Sequence, residues 1–146
     1  MLLAQNVDIN AQGGYYGNAL QAASATGHEK TVQILLAKGA DINAEHWEYG
    51  NPLHAASATR YKKIVQILLA KGADVNAQGG LYGNAFQAAS YNGNKKIVRI
   101  LLAKGADINA QGGHYGNALS AASRNRNEKI VQMLLAKGAS RKRRRS

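Results

Sequence analysis

The chain has 146 residues, 45% of them hydrophobic and 18% charged, and it carries a net charge of +11 without a single cysteine. That size fits one domain, and the missing thiols exclude disulfides and thiolate chemistry, which fits a reducing, intracellular compartment, cytoplasmic or nuclear. No apolar run reaches the ~18 residues of a membrane helix, and Met1-Leu2-Leu3-Ala4 has neither the length nor the basic leader of a signal peptide.

Met1 to Val7 matches the end of a helix that recurs as Ile100 to Ala106, so a partial repeat is expected at 1–7. Gly-Ala-Asp then stands at 39–41, 72–74 and 105–107, with Gly-Ala-Ser at 138–140, a step of 33 residues. A fixed period of that length marks a solenoid of stacked units, each burying a strip against the next. The units are 8–40, 41–73, 74–106 and 107–139, and together with 1–7 they make an array over 1–140. Seventeen of the 33 positions hold one residue in all four units. The scaffold is therefore constant, and the varying positions carry the information.

Within the first unit, Asp8-Ile9-Asn10-Ala11 reads as a short extended piece and Gln12 to Gly17 as a glycine-rich turn. Asn18 is an N-cap whose side chain can accept a bond from the next turn. Ala19 to Ser24 is a short helix with one small face, and Thr26-Gly27-His28 breaks it. Glu29 to Lys38 is a second helix with Val32, Leu35 and Leu36 on one apolar stripe, closed by Gly39. Leu20, Val32, Leu35, Leu36 and their counterparts at 33-residue steps are expected to be buried. Arg141 to Arg145 then form a basic tail over 141–146. Without those five charges the chain has 14 basic and 8 acidic residues, a net +6. The tail fits a nuclear-import address, a nucleic-acid patch or a solubilising cap. Neither end shows the polar substitutions of a capping repeat, so we expect a piece of a longer array or an engineered one, monomeric or weakly associating end to end.

Turn, short helix, loop and longer helix in 33 residues resemble the ankyrin repeat. The motif words agree: Asn51-Pro52-Leu53-His54, the loop Gly27-His28, and Leu68-Leu69-Ala70-Lys71-Gly72-Ala73-Asp74-Val75-Asn76-Ala77. The resemblance implies an all-α solenoid of four helix-loop-helix units with hairpin-like turns, and a concave groove lined by hairpin tips and first helices. Three units depart from it with Asn-Ala-Leu or Asn-Ala-Phe, and the His position becomes Gln21, Gln87 and Ser120. The turn Gln-Gly-Gly-x-Tyr-Gly-Asn is similar to ankyrin arrays of fungal NACHT-type signalling proteins, or to engineered arrays derived from them.

Catalysis has no visible apparatus. Asp8, Asp41, Asp74 and Asp107 fall one per unit, about 10 Å apart at helix-packing distances. The four histidines share no metal-ligand spacing, Ser24 and its counterparts lie in no nucleophile elbow, and no Gly-Lys-Ser/Thr follows the glycine turn. No enzyme activity, cofactor or metal is expected.

Binding is expected in the groove. The resemblance places contacts at the hairpin tips, Tyr15, Glu48, Leu81 and His114, and at the first-helix ends, Ala25, Ala58, Tyr91 and Arg124. The adjoining loops offer Gly27, Arg60, Gly93 and Arg126, then His28, Tyr61, Asn94 and Asn127. These positions vary while their neighbours do not. Trp47 is either an exposed interface anchor or packed on Tyr15, Tyr49 or Leu81. Tyr16, Tyr49, Tyr82 and Tyr115 form a ladder that stiffens the hairpins. Lys30, Lys63, Lys96 and Lys129 make one second-helix flank basic. The sequence thus predicts a non-catalytic scaffold whose partner-binding residues are Tyr15, Trp47, Glu48, Arg60, Leu81, Tyr91, His114 and Arg124. Its rivals are a basic array on nucleic acid or acidic membranes, with the tail as the nucleic-acid element, and an array without a natural partner.

Overall fold

A computed structural model describes residues 8–139. The partial repeat expected at 1–7 and the basic tail at 141–146 lie outside the described residues, as does the end-to-end association that depends on them. Helices pair along the chain: α1 (Ala19–Thr26) with α2 (Glu29–Ala37), α3 (Pro52–Ser57) with α4 (Lys62–Ala70), α5 (Ala85–Tyr91) with α6 (Lys95–Ala103), and α7 (Ala118–Arg124) with α8 (Glu128–Ala136). Among the described residues no strand forms, and the hairpins close on the isolated bridges Gly13–Gly17, His46–Gly50 and Gly112–Gly116. No described helix is long and apolar enough to cross a membrane.

Each first helix starts where the sequence demands. The Asn18, Asn51, Asn84 and Asn117 carboxamides accept the backbone N–H three residues on, at 2.7, 2.8, 2.8 and 2.8 Å. Such caps satisfy donors that the helix cannot, for about 1 kcal/mol each. The second helices have no side-chain cap at His28, Tyr61, Asn94 or Asn127. They end instead on left-handed glycines, Gly39, Gly72, Gly105 and Gly138, at φ near 95–100°. The next N–H returns to the last turn, as from Ala40 to the Leu35 carbonyl at 3.0 Å, a bond that only a left-handed residue permits cheaply.

The core is a strip between successive pairs. First helices pack on one another through α1, α3, α5 and α7, and α2, α4 and α6 form the outer layer. Ala23, Ala56, Ala89 and Ala122 are buried; their small side chains let the first helices approach closely. Leu20, Leu53, Phe86 and Leu119 fill the space beside them, and Val65, Leu68, Val98 and Leu101 reach it from the second helices. The expected burial of the Leu36 position is corrected. Leu36, Leu69 and Leu102 only flank the core, and Leu135 is 38% exposed. The stripe is centred one position further round, where Ile64, Ile97 and Ile130 are buried with Leu68, Leu101 and Leu134 at i+4. Leu35 and Val131 are half-buried at the two ends, where no further described helix covers them.

Two asparagine ladders also tie the units together. Asn10, Asn43 and Asn76 accept through Oδ1 the backbone N–H of Asp41, Asp74 and Asp107, at 2.6, 3.1 and 2.8 Å. Asn76 Nδ2 also donates to the Gly105 carbonyl at 3.0 Å. The Asp carboxylates, far from any shared-proton chemistry, accept locally from the N–H two residues on, as from Asn10 to Asp8 at 2.9 Å. The second ladder lies at the helix loops: Asn94 Nδ2 donates to the Thr59 carbonyl, and Asn127 Nδ2 to the Ser90 carbonyl at 3.1 Å. Asn76→Ala removes its bond to Asp107 of the next unit and its bond to Gly105 of its own. It should cost about 1–2 kcal/mol in a urea titration, and an unchanged midpoint would mean that the apolar strip alone couples the units.

Candidate partner-binding groove

The hairpin tips form one edge of the groove. The Leu81 N–H donates to the Glu48 carbonyl at 2.8 Å, and the His114 N–H to the Leu81 carbonyl at 2.9 Å. Three predicted contact residues therefore share one backbone ladder. It requires glycine beside it: a Cβ on Gly113 would lie 2.4 Å from the Tyr82 carbonyl, and Gly113 has φ +70°. At the corresponding place the second unit has Trp47, which does not adopt a positive φ. Its hairpin backbone therefore differs from that of its neighbours.

The tyrosine rings follow the same division. Tyr16 and Tyr49 lie 5.4 Å apart between centroids, with Tyr15 set edge-on to both at 4.9 and 5.6 Å. Tyr82 and Tyr115 lie 6.3 Å apart. Tyr91, at the end of α5, sits against Tyr82 at 5.4 Å and stacks on Tyr115 at 4.7 Å. The Tyr91 hydroxyl raises the Tyr115 phenol above its usual pKa, with a smaller contribution from burial. Between Tyr49 and Tyr82 a gap opens instead. The residue at the Tyr91 position of the second unit is Ala58, and of the first, Ala25. What Tyr91 fills between the third and fourth units, Ala58 leaves empty between the second and third.

The result is a cavity of about 300 Å³. Tyr15, Tyr16 and Tyr49 form one side, Leu81 and Tyr82 the other, with Glu48 at the tips and Ala25, Ala55, Ala58 and Thr59 along the first helices. His54 forms part of its lining. The residue is 2% exposed, and among the described residues neither ring nitrogen has a hydrogen-bond partner. Burial pushes the imidazole down to about 4 from 6.5, so it is neutral at physiological pH and offers one acceptor nitrogen. Loss of water pushes the Tyr49 phenol up, and the Tyr15 hydroxyl and the Glu48 carboxylate add to the shift.

Tyr15, Glu48 and Leu81 are thus brought together on this cavity, with Tyr15 71% and Leu81 50% exposed. Trp47 is 81% exposed and, among the described residues, stacks on His46 at 5.8 Å rather than on Tyr15, Tyr49 or Leu81. His114 and Arg124 share a separate shallow depression with Tyr115, Ser120 and Ser123. Tyr91 packs its ring against Tyr82 and Tyr115. Arg60 lies apart, on the loop face, with Lys62, Lys95 and Lys96. Of the loop positions, Asn94 and Asn127 are structural donors, and Tyr61 lies against Gly27. The sequence treated Tyr49 and Tyr82 as stiffeners and His54 as a motif letter; the signal for a cavity was the pair of alanines at 25 and 58. Among the described residues no group of three His, Cys, Asp or Glu could hold a metal ion.

The family model for ankyrin repeats, in three copies, matches residues 1–79 and 80–145. No curated protein matches the chain. Repeat period, capped helix pairs, stacked hairpins and this near-complete match agree: the chain belongs to the ankyrin-repeat family.

Proposed function

We propose that the array binds a protein partner in its concave groove, with the cavity between Tyr49 and Tyr82 as the central anchor point. Ankyrin repeats generally mediate protein–protein interaction and are typically non-catalytic scaffolds. The observation that carries the reading further is an unfilled, tyrosine-walled cavity in a groove whose tips present exposed Tyr15, Trp47 and Leu81. A concave apolar site with a few polar groups is the usual form of a recognition pocket, and exposed aromatics are the residue types that dominate interface energies. The likeness to fungal NACHT-type arrays rests on the Gln-Gly-Gly-x-Tyr-Gly-Asn turn alone.

The test is a displayed-peptide selection on the array, followed by titration of the enriched peptides. Trp47→Ala and Leu81→Ala should each weaken binding by more than ~1 kcal/mol, while Lys63→Ala and Lys129→Ala leave it unchanged. Peptides whose contacts all fall on the second-helix lysines would sink the proposal. One observation favours the basic rival: Arg60, Lys62, Lys95 and Lys96 line a depression of about 440 Å³ on the loop face. Binding of nucleic acid there, or through residues 141–146, would show as a steep fall of log K with log salt from counterion release. Groove recognition predicts a shallow slope.

A further inference from the structure

The cavity also has a charge character opposite to that of the chain. The described body is basic, yet neither Lys nor Arg lines this cavity, and Glu48 is the only charged side chain among its described lining residues. Tyr15, Tyr16, Tyr49 and Tyr82 line it, and tyrosine π-electrons attract cations within ~6 Å of the ring centre. His54 also lines it, with an imidazole that is buried, neutral and without a partner on either nitrogen among the described residues.

These features select among occupants. An acidic or phosphorylated group would meet the Glu48 carboxylate and the negative faces of the rings. A purely apolar side chain would fit the walls and leave the Glu48 carboxylate without a counter-charge. A primary ammonium on a flexible aliphatic stem meets both demands: the stem runs between Tyr49 and Tyr82, and the ammonium supplies a positive charge and N–H donors for Glu48. Lysine's three donors and compact head suit such a site better than the broad, flat guanidinium of arginine.

We infer that the cavity between Tyr49 and Tyr82 receives a lysine side chain of the partner, held by the tyrosine rings and the Glu48 carboxylate. This rests on the groove-binding reading and adds the chemistry of the anchoring residue. The alanines at 25 and 58 are then the specificity determinants, since a larger side chain at 58 closes the site as Tyr91 closes its counterpart.

The experiment uses the full chain and two probes, Nα-acetyl-lysine methylamide and Nα-acetyl-norleucine methylamide, which share an aliphatic stem and differ in the ammonium. Amide chemical shifts of Tyr49, His54 and Leu81 report occupancy. The lysine probe should shift them saturably and bind at least about fivefold more tightly than norleucine. Glu48→Gln should remove most of that preference and leave norleucine binding unchanged. Ala58→Tyr should abolish binding of both probes while the melting temperature holds or rises, which separates a filled site from an unfolded one. Equal binding of the two probes overturns the inference, as does a lysine preference that survives Glu48→Gln, or no shift at these amides. In the first case selected peptides would still bind the groove through an apolar anchor, so the broader proposal would stand. If no peptide is selected at all while the lysine probe saturates the cavity, the broader proposal fails and the site's chemistry remains.

Discussion

Replacing Leu68 by alanine should destabilise the array by about 2–5 kcal/mol, the range for a fully buried large-to-small change. Leu68 has no exposed surface and belongs to the continuous core that also holds Leu53, Val65, Phe86 and Ile97. Part of the loss is the transfer free energy of the deleted atoms, and part is the cavity that rigid helices on both sides cannot close. The neighbouring Leu69, one residue on but only flanking the core, should cost clearly less. Because each unit contacts only its neighbours, the break falls in the middle of the chain. The two halves should then unfold less cooperatively, and the slope of a urea titration should fall as well as its midpoint. A loss below about 1 kcal/mol for Leu68→Ala, or equal losses at 68 and 69, would place the stripe on the wrong face.

That comparison also shows what the sequence makes legible. Helices, turns and their caps follow from local chemistry repeated four times. Asn18, Asn51, Asn84 and Asn117 cap as expected because capping needs only one short side chain and three residues of helix. The position of the apolar stripe is less secure, because Val, Leu and Leu at i, i+3 and i+4 also fit a face rotated by one residue. Ile64, Ile97 and Ile130 are the better guide, and Thr31 at that position in the first unit obscures the pattern. The Asn10–Asn43–Asn76 ladder leaves no local trace at all. Its bonds reach backbone 31 residues away, so repetition alone hints at it. The groove's contact positions were visible as variation on a constant scaffold. The cavity was not, because it is made by the absence of a side chain at Ala58 that becomes meaningful only when Tyr91 is seen filling the next space.

The largest pH effect is expected from His54. In the unfolded chain the imidazole titrates near 6.5; in the folded one burial holds it near 4. Above pH 6.5 both states are neutral and His54 adds no slope. As pH falls from 6.5 toward 4, the unfolded state takes up a proton that the folded state refuses, so stability is lost by up to ~1.4 kcal/mol per unit. The total over that window is about 3 kcal/mol, and below it this source of slope disappears. The groups facing His54 are the Tyr82 ring and, across the cavity, Glu48 and Tyr49. The Tyr49 phenol, held above its usual value, stays protonated throughout the window. His54→Gln provides the control, because the first and third units already bury glutamine at this place, as Gln21 and Gln87. Gln87 Nε2 donates to the Gly112 carbonyl at 3.0 Å, and the corresponding carbonyl for residue 54 is that of Gly79. The variant should match the parent at pH 5 or exceed it, and lose little stability between pH 6.5 and 4.5. Parallel stability curves for the two proteins would show that the imidazole is not held neutral by burial. The same protonation would place a positive charge on a residue lining the cavity, so affinity for a lysine-bearing probe should fall with pH in the parent and not through this route in His54→Gln.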